Sequence, residues 1–323
     1  MMAQIYPAVF IMGPTASGKT ALAMDLAERF DAMLINVDST QIYRRLNIGA
    51  AKPSADELRR APHQLLDIRE PWESYTVGDF CQDAASLIEQ AQAQKRLPVL
   101  VGGTMMYFRA LQFGLSDLPA SDPQTREMFQ QQLAEQGLPA LRRQLEQVDP
   151  AAAQRTEEGD TQRTLRALEV WHDTGRTLTD WQRNPLQPVL PLKVLPLALW
   201  PEPRAVLHQR IAERFDAMIE LGFVQEVEQL AAIPEIHPGL PAMRSVGYRQ
   251  FLAYVRGECS LSEARELGII ATRQLAKRQY TWLRRWPEAK YINPLEGVQT
   301  MIDSAENLIR QWSPDVLARG SEK

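Results

Sequence analysis

The octapeptide GPTASGKT, Gly13 to Thr20, decides the fold of this chain. It follows a short apolar run, AVFIM (Ala8 to Met12), and fits the pattern G-x-x-x-x-G-K-[ST]. A strand, this loop and a following helix together bind phosphates, because backbone N–H groups and the helix N-terminus point at the anion. Lys19 is expected to reach the distal phosphate, and Thr20 to offer its hydroxyl to Mg²⁺. A nucleoside triphosphate such as ATP is the default ligand, so the identity of the phosphates is the first functional question.

Alternating strands and helices are predicted over residues 1–116. Apolar and β-branched runs bounded by Gly and Pro are typical of a parallel sheet that is buried on both faces. The predicted strands are AVFIM, MLINV (33–37), HQLLDI (63–68), LPVLVGG (97–103) and, later in the chain, VLPLALW (194–200). The proline inside VLPLALW favours an edge or bent position for that strand. A helix is predicted from Thr20 to Phe30. We therefore expect an α/β fold with a P-loop NTPase-like parallel sheet core.

Residues 117–185 differ from this core in composition. They are rich in Gln, Ala and Leu, they are interrupted by Gly and Pro, and they contain no strand candidate. This pattern predicts a helical insertion domain. Residues 186–312 are predicted to return to the core and to end in C-terminal basic helices, with helices at Arg204–Leu221 and Ser262–Trp286. Residues 313–323 are predicted to be a tail.

The composition argues against several classes of protein. The chain has 323 residues, of which 45% are hydrophobic, and its net charge of −4 neither favours nor excludes nucleic acid as a partner. Two cysteines far apart in sequence, Cys81 and Cys259, predict a reducing compartment rather than a disulfide framework. The four histidines have no metal-ligand spacing. A signal peptide and an apolar run of roughly 20 residues are both absent from the sequence, so we expect a cytoplasmic protein without a membrane partner.

An acid that is usual in ATP- and GTP-dependent P-loop enzymes is not where it is expected. Such enzymes carry an Asp at the end of a second apolar strand, as a partner for magnesium, but LPVLV is followed by Gly102, Gly103 and Thr104. An acid instead follows MLINV, at Asp38. Both Asp38 and Thr104 end predicted strands, where open α/β sheets bind ligands. We interpret Asp38 as a candidate proton acceptor and Thr104 as a guide for the nucleophile; a turn residue and a helix cap are the simpler alternatives.

A basic and aromatic segment lies near the C-terminus. RQLAKRQYTWLRRW (Arg273 to Trp286) contains five basic residues, three aromatic residues and no acid. On a helix, four of its residues share one side: Arg273, Lys277, Thr281 and Arg284. Such a stripe favours an RNA backbone with unpaired bases stacked beside it. A solvated helix face is the alternative.

Taken in order, these segments resemble the tRNA dimethylallyltransferases, also called tRNA isopentenyltransferases. The matching segments are GPTASGKT, NVDSTQIY, IGAAKPS, HQLLDI, PVLVGGTMMYFRALQFGL, the DP-x-x-R of residues 122–126, QRTLRALEV, HQRIAERFDAMIELGF, MRSVGYRQ and ATRQLAKRQYTWLR. They run from residue 13 to about residue 284 and do not depart from the family pattern at the motif positions. GGTMMYF and RQ-x-AKRQ-x-TW are far more specific than a phosphate loop alone.

The resemblance implies a reaction, its partners and its site residues. A dimethylallyl group is moved from dimethylallyl diphosphate to N6 of adenosine 37, beside the anticodon of tRNA, with Mg²⁺ as cofactor; we expect a monomer. The implied catalytic residues are Asp38 and Thr104. The implied diphosphate-binding residues are Gly13, Pro14, Thr15, Ala16, Ser17, Gly18, Lys19, Thr20 and Arg214, with Thr20 also a metal ligand. The implied tRNA-binding residues are Ser39, Thr40, Gln41, Arg126, Gln162, Arg163, Thr164, Leu165, Arg166, Met243, Arg244, Ser245, Val246, Gly247, Tyr248, Lys277, Arg278, Gln279, Thr281, Trp282 and Arg284.

A departing diphosphate explains why the usual magnesium acid is missing, because no phosphoryl group is transferred. Negative charge grows on the bridging oxygen, where the loop N–H groups, Lys19, Mg²⁺ and Arg214 are suited to stabilise it. The adenosine is expected to flip out of its stack. Two other hypotheses stay open at this point: a small-molecule kinase of the P-loop class, and a non-catalytic RNA-binding module with a vestigial phosphate loop.

Overall fold

The apolar runs form one parallel sheet. The computed structural model describes residues 4–116, 118–119, 121–184 and 186–313. The strands within these residues are β1 (Tyr6–Met12), β2 (Ala32–Val37), β3 (His63–Gln64), β4 (Leu97–Gly102), β5 (Leu192–Leu199) and β6 (Lys290–Ile292). They are hydrogen-bonded in the order β3-β2-β4-β1-β5-β6, and each described pairing is parallel. The α/β fold with a parallel sheet is therefore confirmed.

The sheet differs from the prediction at one edge. The short strand β6 was not predicted, because KYI is only three residues long and carries no alternating pattern. It pairs with Leu197–Leu199, so β5 is not the edge strand that its proline favours. Pro196 itself pairs with β1 and lies just before the stretch that pairs with β6. The missing N–H of the proline therefore costs no bond to β6.

Helices lie before, within and after the insertion along the chain. Before the insertion they are α1 (Lys19–Phe30), α2 (Ala55–Arg60), α3 (Val77–Ala93) and α4 (Met105–Phe113). Residues 113–188 contain α5 (Pro123–Gln136), α6 (Leu138–Val148), α7 (Pro150–Arg155), α8 (Thr161–Thr174) and α9 (Leu178–Gln182). After it come α10 (Arg204–Glu220), α11 (Phe223–Ala231), α12 (Tyr248–Val255), α13 (Leu261–Arg284) and α14 (Val298–Trp312).

The chain divides into two compact units, Met1–Gln112 with Val189–Lys323, and Phe113–Pro188. In the first unit, β1, β4 and β5 pack against the buried faces of α1 and α14. Leu22 and Leu26, four residues apart on α1, are fully buried there. Each such leucine contributes about 1.5–3 kcal/mol to the free energy of unfolding. A second core forms among α10–α13 around aromatic side chains such as Phe215, Phe223 and Phe251.

The described part of the second unit is helical, and four of its five helices begin at a polar side-chain cap, whereas α6 begins at Gly137 without one. The side chains of Asp122, Asp149, Asp160 and Thr177 each accept a hydrogen bond from a backbone N–H in the first turn. Phe129, Leu141, Leu145 and Leu168 are buried in its core. No strand longer than the isolated bridge between Leu115 and Gln187 interrupts the part of this unit that the structure describes. Of the predicted tail, residues 314–323 lie outside the described residues.

Candidate functional site

The phosphate loop joins β1 to α1 in a compact turn. Gly18 begins the helix with φ 90°, and Ala16 also has a positive φ, 61°. A Cβ on Gly13 would lie 2.8 Å from Ser17 Oγ and 3.0 Å from Leu199 Cβ. Glycine is therefore required at Gly13 by close approach and is favoured at Gly18 by backbone conformation. The sequence pattern and the local geometry agree at this loop.

The electrostatics of the loop are set by two enclosed cations. Lys19 Nζ donates a hydrogen bond to the Pro14 carbonyl, 2.7 Å away. Burial lowers the pKa of Lys19 to about 7; the Asp38 carboxylate opposes this shift and the Arg214 guanidinium adds to it. Burial also lowers the pKa of Arg214, which lies on α10, and Asp38 again opposes the shift. Enclosed positive charges that lack a full complement of anions are what a diphosphate site requires.

Asp38 lies at the carboxyl end of β2. Its Oδ1 accepts hydrogen bonds from the backbone N–H groups of Thr40 (2.9 Å) and Gln41 (3.4 Å). One oxygen therefore forms a turn, as the simpler interpretation predicts. Among the residues that the structure describes, none donates a hydrogen bond to Asp38 Oδ2, and the residue lines the cavity beside the phosphate loop. A second lone-pair acceptor is therefore available to a ligand.

Thr104 lies at the neighbouring strand end, after β4. Its Oγ1 accepts from the Ser39 N–H at 3.0 Å and is 3.3 Å from Ser39 Oγ. Its own N–H donates to the Val37 carbonyl. The hydroxyl thus bonds across to the end of β2 rather than capping α4, so the helix-cap interpretation is wrong. Asp38 and Thr104 are brought to adjacent strand ends, as the strand order β2-β4 dictates.

Two adjoining cavities share the same polar residues. One, of about 340 Å³, is lined by the phosphate loop, Asp38 and Arg214. The other, of about 100 Å³, is also lined by Thr15, Asp38 and Arg214, but much of its wall is apolar: Ile211, Phe215, Met218, Val246 and Leu275. An anion site thus opens onto a small apolar site, with a carboxylate between them. The apolar half was not predicted, because its residues come from α10, from the turn before α12 and from α13.

The segment after Asp38 lines the site and is held by Glu226, which the sequence did not single out, and by Tyr248, which the resemblance assigned to tRNA binding. Glu226, on α11, accepts hydrogen bonds from three consecutive backbone N–H groups, at residues 47, 48 and 49 (2.7–3.1 Å). The Tyr248 hydroxyl donates to Glu226 at 2.6 Å and accepts from Ala50 N. A Cβ on Gly49 would lie 2.1 Å from the Phe223 ring, so this segment packs without space for a side chain. Nothing in LGFVQEVEQL marks Glu226 as an anchor, because its partners are distant backbone groups.

Several residues expected to contact tRNA have structural roles instead. Met243 and Tyr248 are fully buried, so their side chains are not available at the surface. Gln41 Nε2 donates to the carbonyls of Ala50 and Ala51, and thereby holds the same segment. Gln279 is buried against the phosphate loop. The side chains of Met243, Tyr248 and Gln279 are enclosed by the fold, whereas Gln41 is half-buried and lines the anion cavity, so a direct tRNA contact by these residues stays a prediction.

Other members of that set are exposed or line the site. Thr40 Oγ1 donates to Ser245 Oγ at 3.2 Å, so the NVDSTQ and MRSVGY segments meet. Val246 lines the apolar cavity, Gly247 begins α12 with φ 92°, and Ser39 and Arg244 are exposed. Within the basic segment 273–286 the exposed residues are Gln274, Lys277, Arg278, Thr281, Trp282, Arg284 and Arg285. Arg273 is half-buried, with Nη2 3.4 Å from the His208 carbonyl, and it does not belong to the exposed face.

In the helical unit, too, some candidate tRNA-binding residues are exposed and others are buried. Arg126, Gln162 and Arg163 are exposed. Thr164 and Leu165 are buried, and Thr164 Oγ1 donates to the Asp160 carbonyl, so these two side chains do not lie at the surface where RNA would meet them. Half-buried Arg166 donates to the Pro119 carbonyl at 2.7 Å and to Ser121 Oγ. It therefore holds the segment before α5.

Mg²⁺ is the metal that the resemblance implies at this site. Within the described residues, no group of three or more His, Cys, Asp or Glu side chains is arranged to hold a metal ion. Half-buried Thr20 lies in the first turn of α1 and lines the anion cavity that Asp38 also lines. A hydroxyl and a carboxylate beside an anion cavity fit Mg²⁺, which keeps several waters and is held by few protein ligands together with substrate phosphates.

Within the residues that the structure describes, no helix has the length and apolarity needed to cross a bilayer.

Comparisons with known proteins identify the family to which this chain is similar. The model of the IPP transferase family matches residues 41–286. A tRNA dimethylallyltransferase of Thiobacillus denitrificans is 54% identical over 283 residues, which are 88% of this chain and 90% of the relative. One of Stenotrophomonas maltophilia is 49% identical over 292 residues, 89% of this chain and 92% of the relative.

Solved structures of similar proteins superpose on most of this chain. A tRNA isopentenylpyrophosphate transferase from Bacillus halodurans superposes with a TM-score of 0.67 at 31% identity, covering 96% of this chain and 99% of that one. A eukaryotic dimethylallyltransferase, solved acting on tRNA, gives a TM-score of 0.76 at 25% identity, over 93% of this chain and 77% of that one.

Proposed function

The chain belongs to the IPP transferase family, and from this premise we propose that it is a tRNA dimethylallyltransferase. It transfers the five-carbon group of dimethylallyl diphosphate to N6 of adenosine 37 and releases diphosphate. The observation that carries the proposal is the pair of adjoining cavities, one cationic and one apolar, with Asp38 lining both. A diphosphate ester with a short hydrocarbon chain has the same two halves.

The cationic half suits the leaving group. As the bond between the allylic carbon and the bridging oxygen breaks, negative charge grows on that oxygen. The loop N–H groups, Lys19 and Arg214 are positioned to stabilise this charge, and losing one such contact costs about 2.7–4 kcal/mol, or roughly 10²–10³ in rate. One N–H of the Lys19 ammonium donates to the Pro14 carbonyl, and its other two N–H groups are available to a phosphate. The approach of an anion raises its pKa and favours the charged form.

Mg²⁺ belongs to the proposal as a partner of the diphosphate. Thr20 and the phosphates would hold it, and it supplies positive charge to the departing oxygens when it is bound.

The carboxylate suits the nucleophile. An exocyclic adenine amine is weakly nucleophilic, because its lone pair is delocalised into the ring. Asp38 Oδ2 accepts a hydrogen bond from N6 and then its proton, as the new carbon–nitrogen bond forms. Thr104 lies at the adjacent strand end and orients the same amine through its hydroxyl. The apolar wall around Phe215 and Met218 encloses the allylic carbon and keeps water from intercepting it.

The RNA must deliver an unstacked base to this site. Extruding the base costs a few kcal/mol, which contacts along the anticodon stem-loop offset. Exposed candidates for these contacts are Ser39, Arg244, Lys277, Arg278, Thr281, Trp282 and Arg284, with Arg126, Gln162 and Arg163 on the helical unit. A cytoplasmic monomer is part of the proposal, and the unpaired cysteines Cys81 and Cys259 are consistent with a reducing compartment.

The test is direct. The protein is incubated with dimethylallyl diphosphate, Mg²⁺ and unmodified tRNA, and the RNA is digested and weighed by mass spectrometry. We expect one five-carbon group on one adenosine beside the anticodon. Two reactions serve as controls, one without the donor and one with ATP in its place. An RNA of unchanged mass would refute the proposal, and consumption of ATP with a small acceptor would revive the kinase.

A further inference from the structure

Gln279 is one of the few polar side chains that the fold buries, with 5% of its surface exposed. It lies on α13, between residues that face solvent: Lys277 and Arg278 precede it, and Thr281 and Trp282 follow. Its own side chain points the other way, into the protein. A buried amide of this kind is costly unless its donors and its acceptor are paired.

The amide bridges two backbone segments that are far apart in sequence. Gln279 Oε1 accepts a hydrogen bond from Thr15 N, 3.0 Å away, in the phosphate loop. Gln279 Nε2 donates to the Gly103 carbonyl at 2.9 Å, in the residue just before Thr104. One side chain therefore contacts both the loop that grips the leaving group and the turn that carries the candidate guide of the nucleophile.

The Gln279 amide lies so close to Gly103 that it leaves no room for a side chain there. A Cβ on Gly103 would lie 2.4 Å from Gln279 Nε2, whereas the next neighbour, Gln279 Cδ, is 3.6 Å away. Gly103 does not have a positive φ, so its backbone would accept alanine. The glycine is needed here for the amide of Gln279 rather than for its own conformation.

We propose that Gln279 is a positioning residue, which fixes the separation of the phosphate loop from the Gly103–Thr104 turn. The proposal rests on the proposed function, since it assigns these two segments to the two substrates. Gln279 acts through Thr15 N and the Gly103 carbonyl, and it does not contact the RNA. Removing the bridge leaves Thr15 N without its partner and leaves the Gly103 carbonyl only its bond from Met105 N. The two segments are then free to separate, so donor binding and chemistry suffer while RNA binding does not.

The first experiment compares Gln279→Met with Gln274→Met, an exposed glutamine on the same helix. Affinity for inorganic diphosphate with MgCl2 is measured by calorimetry, affinity for tRNA by filter binding, and transfer by single-turnover kinetics. For Gln279→Met we expect roughly tenfold weaker diphosphate binding and a fall in the transfer rate of at least roughly tenfold. Affinity for tRNA stays within twofold of wild type, about the scatter of such measurements, as all three quantities do for Gln274→Met.

A second experiment keeps the proposal testable if Gln279→Met unfolds. Gly103→Ala pushes the amide aside, so it lowers diphosphate affinity by itself. In the Gln279→Ala background the same methyl meets no amide, so the double variant binds diphosphate no more weakly than Gln279→Ala. Thermal unfolding midpoints of all variants separate loss of fold from loss of positioning.

The results discriminate sharply. Unchanged diphosphate affinity in Gln279→Met, weakened tRNA binding in its place, or additive penalties in the double variant would each overturn the positioning role. If wild type transfers no five-carbon group, the proposed function fails, yet the diphosphate titrations still decide the role of Gln279. If wild type is active and Gln279→Met behaves like it, only the positioning role fails.

Discussion

The Thr104 hydroxyl accepts a hydrogen bond from the Ser39 N–H, 3.0 Å away, and so ties the ends of β4 and β2 together. Replacing Thr104 by Val keeps the side-chain shape but leaves that N–H without its partner. We expect the transfer rate to fall about tenfold to a hundredfold, because the unpaired group and the lost orientation together cost about 1.4–2.8 kcal/mol. Single-turnover kinetics measure this fall. Thr104→Ser keeps the hydroxyl and should recover most of the rate; a serine variant as slow as valine would contradict the role.

Asp38→Asn removes the negative charge of the side chain and keeps its shape. The amide oxygen still accepts from Thr40 N, so the turn survives, but the acceptor for the N6 proton is gone. The transfer rate should fall by roughly 10²–10⁴, the range of general-base contributions. Donor affinity should stay equal or improve, because the negative charge that faces Lys19 and Arg214 is removed. Calorimetry with the donor checks the second half, and loss of donor affinity would show that Asp38 serves the diphosphate site instead.

Arg214 offers a test of the leaving-group grip. Arg214→Gln should weaken binding of dimethylallyl diphosphate by roughly 10²-fold, about 2–3 kcal/mol for an enclosed charge-assisted contact, and leave tRNA affinity unchanged. Arg210→Gln, one turn earlier on α10, is the matched control for diphosphate binding. Equal losses in the two variants would mean that net charge, rather than the position of Arg214, governs the affinity.

The low pKa of Lys19 predicts how donor binding depends on pH. In the free protein its pKa is about 7, so above that pH the amine is mostly neutral. Bound diphosphate raises this pKa, so binding takes up a proton, and affinity falls by up to about tenfold per pH unit above pH 7.5 or so, where the donor itself no longer titrates. Lys19→Arg stays charged at every such pH and should give a flat profile. Titrations in buffers of different ionisation enthalpy count the proton, and a flat wild-type profile would refute the coupling.

The exposed face of α13 predicts two distinguishable effects on RNA. Arg278→Gln should weaken tRNA binding and reduce the slope of log affinity against log salt by about 1, as loss of one phosphate contact does. Trp282→Ala should cost about 1–3 kcal/mol if a base stacks there, with the salt slope unchanged. Arg256→Gln, on another exposed segment, is the control. Equal salt slopes in the Arg278 variant and wild type would place the phosphates elsewhere.

The sequence predicts those parts of the site that depend on local chain geometry. The phosphate loop needs only an apolar strand, glycines at fixed positions and a helix, and all three lie within residues 6–30. Asp38 and Thr104 were found because each directly follows an apolar strand. Their adjacency then follows from the strand order, since parallel strands end at the same edge.

Side chains with distant backbone partners could not be found in this way. Glu226 and Gln279 are paired with N–H and carbonyl groups about 180 and more than 170 residues away, and no periodicity records such contacts. On α13 the spacing places Arg273 on the RNA stripe, and Gln279 looks equivalent to its basic neighbours. Packing of the helix on α10 and α12 decides which of these residues faces solvent. Tertiary contacts, rather than the pattern along one helix, therefore separate RNA candidates from structural residues.

The bridge from Gln279 to Thr15 has a consequence for synthesis of the chain on the ribosome. A nascent chain that has emerged through β5 already contains the glycine-rich loop and most strands of the sheet. It still lacks Arg214 of α10 and Gln279 of α13, which line the anion cavity. We therefore expect the half-made protein not to bind the diphosphate donor, because its site is completed only by the helix whose outer face is proposed to meet the RNA.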